Sequence, residues 1–243
     1  MSTSGKEAPT RRAQRTRSAI LALVSMLPNI GTGFSLQSAS ARQESPRATS
    51  PGRQIVLLLD VNPDQRNVLT IEKALAEGVV MKLRQSGSEF SIITFGGQAP
   101  TLLESEVQAD AAVAALQQIG LGQARQGYLS LQLYNALDFA FDQFTDDGRL
   151  KALLVITEGN DYPRGTTIKN VVSRALQLQV TCSVAMVAGH TFYGSKSIQT
   201  YGFYLRRLAG KTGGRYVEIG SEQKKVSGSI GRLSDRMLRE YRR

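Results

Sequence analysis

Apolar runs and helical stripes alternate along the chain from residue 54 onward. Residues 55–59 are continuously apolar and end at Asp60, which is typical of a strand buried on both faces. The next apolar positions recur every three or four residues as far as Leu83, and this spacing predicts a helix. The same alternation predicts further strands at 90–95, 101–103, 152–157, 180–187 and 215–219, and further helices at 109–119, 133–144, 168–176, 198–208 and 226–241.

The alternation also predicts the fold class. Strands that alternate with helices favour an α/β architecture: a doubly wound, mostly parallel six-stranded sheet with helices on both faces, in a three-layer, Rossmann-type arrangement. We expect the first strand to be central and residues 101–103 to form an antiparallel edge. In such sheets the ligand crevice lies outside the carboxyl ends of the strands, where the strand order reverses.

The N-terminal segment has the pattern of an export signal. Basic residues at 11–17 precede a short apolar stretch at 19–27, and residues 39–41 (Ala-Ser-Ala) offer a cleavage site. The apolar stretch is about half the ~20 residues that a membrane span needs. We therefore predict a signal peptide at 1–41, a flexible linker at 42–53 and a domain at 54–243. The expected location is periplasmic or secreted, with no stable membrane span after cleavage, although a signal retained as an anchor is the alternative.

Composition limits the chemistry that the chain can support. The 243 residues carry a formal net charge of +10 and include one cysteine and one histidine. An intramolecular disulfide and a structural Cys/His zinc site are thereby excluded, so any bound metal would need oxygen ligands. No run of basic residues interleaves with aromatic residues, and we predict no nucleic-acid partner. The C-terminal helix is basic, but its apolar stripe predicts packing on the sheet rather than on a membrane.

Acidic and amide side chains follow two of the predicted strands. Asp60, Asn62 and Asp64 follow the first strand, and Glu158 follows the strand at 152–157. If the two strands are adjacent, these side chains converge, and their oxygens suit Mg²⁺ or Mn²⁺. The alternative is purely structural, with a turn at Asn62 and Asp64 as the N-cap of the following helix. Without a metal, clustered carboxylates repel each other, and the pKa of one should rise.

Three segments carry a resemblance to a known family. Residues 57–64 resemble the Asp-x-Ser-x-Ser motif of a von Willebrand factor A (VWA) domain, and residues 155–159 resemble its Thr-Asp-Gly motif. Residues 133–137 resemble the start of the helix that follows the metal-binding threonine of that family. The resemblance spans about 54–243, and this segment is similar to a VWFA-related subgroup of secreted bacterial proteins. It implies the VWA fold and a role in adhesion or assembly.

The candidate metal site departs from the family pattern. The family's metal-ion-dependent adhesion site (MIDAS) uses Asp, Ser, Ser, Thr and Asp, and the matching positions here are Asp60, Asn62, Asp64, Leu131 and Glu158. Leu131 offers no oxygen, and the neighbouring Ser130 is the candidate substitute. The candidate metal ligands are therefore Asp60, Asn62, Asp64, Ser130 and Glu158, in a degenerate site. We expect no resident cofactor, and weak or absent binding of Mg²⁺ or Mn²⁺.

These observations favour a non-enzymatic protein-interaction module without catalytic residues. We expect a protein partner to bind at the carboxyl edge of the sheet, on a rim formed by Asn62, Pro63, Gly96, Gly97, Asn160, Tyr162, His190 and Phe192. The alternative function is a divalent-metal-dependent hydrolase that uses Asp60, Asp64 and Glu158 to activate water. No histidine or lysine lies near those motifs to act as a base, and the sequence does not name the partner.

Overall fold

The computed structural model describes residues 52–62, 66–96, 99–122, 133–158, 167–187, 196–219 and 223–238. All of them belong to the compact unit Pro46–Arg243. The predicted signal peptide lies outside the described residues. None of the helices in the described ranges has the length and apolar character that crossing a membrane requires.

A six-stranded sheet runs through the middle of this unit. Its strands are β1 (Arg53–Asp60), β2 (Ser88–Phe95), β3 (Thr101–Val107), β4 (Leu150–Thr157), β5 (Val180–Val187) and β6 (Tyr216–Ile219). The strand order is β3-β2-β1-β4-β5-β6, and every pair is parallel except β2 with β3. The predictions of a mostly parallel six-stranded sheet, an interior first strand and an antiparallel edge strand are confirmed.

Six helices cover the two faces of the sheet. They are α1 (Arg66–Leu83), α2 (Ala109–Gln118), α3 (Leu133–Phe141), α4 (Ile168–Gln177), α5 (Lys196–Lys211) and α6 (Gln223–Met237). Helices α1, α2 and α6 share one core with the odd-numbered side chains of β1, such as Leu57. Helices α3, α4 and α5 share the other core with the even-numbered side chains of β1, such as Leu58. Because β1 is buried on both faces, it reads as a continuous apolar run rather than an alternating one.

The basic C-terminal helix packs on the sheet side, as its apolar stripe predicts. Val226, Leu233 and Met237 are buried in the core that α6 shares with α1. The two helices approach closely at Gly78, where an added Cβ would lie 2.3 Å from Cδ1 of Ile230. A side chain at position 78 would therefore require the Ile230 side chain to move.

Several element boundaries differ from the prediction. β1 begins at Arg53, inside the expected linker, and α3 ends at Phe141 rather than at 144. β3 continues to Val107 instead of stopping at 103. The extra residues of β3 are mostly polar and exposed, because an edge strand is held by backbone pairing with its single neighbour rather than by burial. Hydrophobic periodicity does not detect such a segment.

Candidate functional site

The Asp60 carboxylate is the centre of the site at the carboxyl edge of the sheet. Asp60 is the last residue of β1 and is fully buried. Its Oδ1 accepts a hydrogen bond from the backbone N–H of Asn62 at 3.1 Å, and its Oδ2 accepts one from the Thr157 hydroxyl at 2.9 Å. Thr157 is the last residue of β4, so this side-chain pair joins the ends of two adjacent parallel strands.

These two strands border the point where the strand order reverses. From β1 the chain proceeds outward through β2 to β3, and it then returns to β4 and proceeds the other way to β6. The connections leaving β1 and β4 therefore diverge to opposite sides, which opens a crevice between them. The Asp60–Thr157 hydrogen bond lies at the base of that crevice, where the fold class expects a ligand site.

Gly96 forms part of the wall around Asp60. It directly follows β2 and has φ +102°, a conformation that residues with a side chain rarely adopt. A Cβ at this position would lie 2.5 Å from Asp60 Oδ1 and 3.0 Å from the Asn62 backbone nitrogen. Only glycine allows the backbone after β2 to pass this close to the carboxylate and its N–H donor.

A third acid, Glu72, lies near Asp60 and Glu158 and was missed by the sequence analysis. Glu72 comes from α1 and is fully buried, and neither carboxylate oxygen has a hydrogen-bond partner among the residues that the structure describes. Burial raises its pKa well above the usual value of 4.5, and the charges of Asp60 and Glu158 raise it further. Burial and the two neighbouring charges therefore favour the protonated, neutral form of Glu72.

The position of Glu72 in α1 could have revealed it. Leu69, Leu75, Ala76 and Val79 are all buried on one face of the helix, and Glu72 falls on that face. A charged residue within a buried stripe is rarely there without a partner or a functional role. The pKa of Glu72 rises mainly through burial, and the charges of Asp60 and Glu158, two members of the predicted acidic cluster, add to this rise.

The structure brings together part of the predicted site. Asp60, Asn62 and Gly96 meet at the carboxyl edge, and Asn62 is buried. Glu158, like Asp60, lies close enough to Glu72 to raise the pKa of that residue. The other predicted residues lie outside the described ranges, namely Pro63, Asp64, Gly97, Ser130, Leu131, Asn160, Tyr162, His190 and Phe192.

The described residues alone do not form a chelating set for a divalent cation. Across the described ranges, no three acidic, histidine or cysteine side chains are grouped so that they could hold a metal ion. Both oxygens of Asp60 already accept hydrogen bonds from within the protein. The two Glu72 oxygens have no hydrogen-bond partner among the described residues, and burial favours the protonated form of this carboxyl. The wider ligand set with Asp64 and Ser130 stays a prediction.

The single cysteine does not offer a nucleophile. Cys182 is fully buried in β5, as its position in an apolar strand suggests. Burial raises the pKa of its thiol to about 12, and the hydrogen bond with Thr212 lowers it only in part. At neutral pH the side chain is a protonated, inert thiol that packs like a small apolar residue.

Known proteins resemble this chain in structure rather than in sequence. No protein-family model matches it, and no curated protein sequence matches it significantly. An aerotolerance-related membrane protein from Bacteroides fragilis superposes with a TM-score of 0.58 at 15% identity, over 76% of this chain and 98% of that one. BatB from Bacteroides thetaiotaomicron gives a TM-score of 0.57 at 18% identity, over 76% of this chain and 98% of that one.

A third similar structure is that of a matrix protein. Proximal thread matrix protein 1 from the mussel byssus, with zinc in its MIDAS motif, gives a TM-score of 0.57 at 13% identity. The superposition covers 76% of this chain and 46% of that one. Identities this low establish the fold and no more. Together with the strand order and the strand-end aspartate, they show that this chain has the fold of a VWA domain.

Proposed function

We propose that this chain is a non-enzymatic interaction module that binds a protein partner at the carboxyl edge of its sheet. The observation that supports this most directly is the Asp60–Thr157 hydrogen bond at the point where the strand order reverses. That point is where open α/β sheets place their ligands. The residues of the proposed rim belong to the segments that follow β1, β2, β4 and β5 in the sequence.

A non-enzymatic role also agrees with the charge of the site. The charged groups that raise the pKa of Glu72 are the carboxylates Asp60 and Glu158, and neither a histidine nor a lysine is among them. General acid–base catalysis needs a base poised near the working pH, and hydrolysis by a bound metal needs a chelating set. A screen of phosphoesters, esters and peptides with Mn²⁺ tests the alternative hydrolase. Turnover that Asp60→Ala abolishes would contradict our proposal.

Partner capture with two matched variants tests the binding surface. Asn160→Arg places a long charged side chain on the proposed rim. Gln85→Arg places the same side chain on an exposed turn before β2, at the opposite edge of the sheet. We expect a native envelope protein to be retained by the parent and by Gln85→Arg, and to be depleted at least tenfold by Asn160→Arg, since a buried unpaired charge opposes binding. Equal retention by both variants would place the partner elsewhere.

We further propose that the protein is exported. The support is the basic and apolar pattern of residues 11–27 and the Ala-Ser-Ala cleavage site that follows. A membrane protein and a matrix protein of the mussel byssus among the similar structures agree with export. N-terminal sequencing of the protein from cell fractions is the test. We expect a new N-terminus at Arg42 in an exported fraction, and Met1 retained in a cytoplasmic fraction would contradict it.

A further inference from the structure

A cationic pocket lies at the end of the sheet opposite the candidate site. It has a volume of about 390 Å³ and is lined by Gly214, Arg215, Arg232, Asp235 and Arg236. Gly214 and Arg215 lead into the start of β6, and the other three belong to the last two turns of α6. The pocket therefore faces away from the carboxyl edge where Asp60 lies, and the proposed partner-binding rim does not include it.

Within the described part of the chain, the acidic groups that line this pocket do not balance its positive charge. Three guanidinium groups share the pocket with one carboxylate, that of Asp235. That carboxylate also pairs with Lys82 of α1, whose Nζ lies 3.7 Å away. The Arg215 side chain has no hydrogen-bond or ion-pair partner among the described residues. A concave, uncompensated group of cations raises the local concentration of anions.

Two of the arginines are held in place before any ligand arrives. Arg232 donates from one Nη to the Ser229 hydroxyl at 3.1 Å, and Arg236 donates from Nε to the backbone oxygen of Gly213. Each guanidinium keeps several further N–H donors. The glycine pair behind them is also fixed, because a Cβ at Gly214 would lie 1.8 Å from the Cys182 carbonyl oxygen. Binding therefore costs little additional ordering of the side chains.

Helix capping does not account for these arginines. A cation in the last turn of a helix is commonly explained by the negative end of the helix dipole. Here the carbonyl of Leu238, just after α6, accepts its hydrogen bond from Arg53 of β1 at 2.9 Å. The bonds that Arg232 and Arg236 make go to a hydroxyl and to the turn before β6, not to carbonyls at the end of α6.

We propose that this pocket is a binding site for a phosphate group. Guanidinium groups present planar, paired N–H donors that match the oxygens of phosphate, and several of them in one concave site select a multiply charged tetrahedral anion over a single carboxylate. The phosphate belongs either to a small soluble molecule or to the headgroup of an anionic lipid. The chemistry of recognition is the same for both sources.

Calorimetry of the full-length protein with inorganic phosphate at low ionic strength tests the pocket. We expect saturable binding of one phosphate per chain. Arg215→Ala should weaken it about tenfold, because it removes charge-assisted hydrogen bonds and disturbs no contact within the described protein. Arg207→Ala is the matched control, since it removes the same charge from an exposed position of α5 that does not line the pocket. A circular dichroism spectrum and a melting curve confirm that both variants are folded.

Vesicle sedimentation distinguishes the two sources of phosphate. Vesicles of phosphatidylcholine with phosphatidylglycerol are compared with vesicles of phosphatidylcholine alone, again with both variants. Phosphate binding together with Arg215-dependent retention on anionic vesicles identifies a lipid headgroup, and phosphate binding without such retention identifies a soluble ligand. Absence of saturable phosphate binding would overturn the proposal. An equal loss in Arg207→Ala and Arg215→Ala would also overturn it, since diffuse surface charge then suffices.

Discussion

Gly96 lies against the Asp60 carboxylate in a backbone conformation that other residues avoid. Its positive φ and the 2.5 Å separation between an added Cβ and Oδ1 act together, so any side chain there meets both strain and a clash. The geometry of the site therefore depends on a residue that contributes no functional group.

Replacing this glycine tests how tightly the site is built. We expect Gly96→Ala to lower the free energy of unfolding by roughly 1–3 kcal/mol, through left-handed strain and displacement of the carboxylate. The control is Gly210→Ala in α5, where an added Cβ meets nothing within 4 Å. That change should stabilise by roughly 0.5–1 kcal/mol, because alanine favours the helix. Urea denaturation of both variants measures the difference, and shifts of the same sign would contradict this account.

The buried Glu72 makes stability depend on pH. Its folded-state pKa lies above the unfolded value, so the folded protein binds a proton more tightly than the unfolded chain does. The free energy of unfolding therefore falls as pH rises from about 4.5 towards the raised folded-state value. Glu72→Gln removes the titrating group, so it should raise the melting temperature at pH 8 relative to the parent and flatten this part of the profile.

Melting curves between pH 4.5 and 8 provide the measurement. Glu77→Gln, a half-exposed position on the same helix, is the matched control and should keep the slope of the parent. A Glu72→Gln profile as steep as that of the parent would show that another group controls the pH dependence.

The affinity for divalent metal ions also depends on single residues. We expect weak or absent binding of Mg²⁺ and Mn²⁺ by calorimetry, because Leu131 lacks the oxygen that the family places there and the described acids do not form a chelating group. Leu131→Thr restores a hydroxyl and should strengthen binding if its loss is the cause. Tight binding by the parent that disappears in Asp60→Ala would refute the prediction.

At the scale of elements, Arg149 joins three strands at one edge of the sheet, near the starts of β2 and β4 and the end of β3. It precedes β4 and forms ion pairs with Glu89 of β2 and Glu106 of β3. It also pairs with Asp147, and hydrogen bonding from Arg149 holds the pKa of that carboxyl well below its usual range. One half-buried guanidinium thus secures the antiparallel edge strand to the parallel part of the sheet.

Removing this cation tests that role. We expect Arg149→Leu to lower the free energy of unfolding by about 1–2 kcal/mol, more than an ordinary surface pair, because three acids lose one shared donor. The control Arg84→Leu breaks the exposed pair with Asp110 and should cost less than about 0.5 kcal/mol. Denaturation at low and high salt should show the Arg149 effect shrinking as the ions are screened. Equal effects of the two variants would show that Arg149 does not hold the edge strand in place.

At the scale of the whole molecule, the sheet should open from its edge. β1 is buried along its full length between two neighbours, whereas β3 is exposed at most positions and pairs only with β2. Native-state hydrogen exchange should therefore give β1 and β4 amides the slowest rates, and β3 amides rates at least about a hundredfold faster. β6, the other edge strand, serves as the comparison. Protection of β3 equal to that of β1 would indicate that its outer edge is covered.

Periodicity alone determined the fold class, the number of strands and their approximate bounds. This worked because the central strands and the helices each bury a face, and burial imposes an apolar pattern that can be counted. Asp60 and Glu158 were also visible, since each directly follows an apolar run. The part of β3 beyond residue 103 was not visible, because a strand held by backbone pairing at an exposed edge has no apolar pattern.

Only the tertiary structure decided which polar groups meet. The Asp60–Thr157 bond joins residues 97 positions apart, and it exists because β1 and β4 are neighbours in the sheet. Glu72 joins the same site because α1 crosses that face, and the arginine pocket forms because α6 returns beside the start of β6. Side-chain type is written in the sequence, but the desolvation and charge that set a side chain's chemistry depend on neighbours that the chain acquires only by folding.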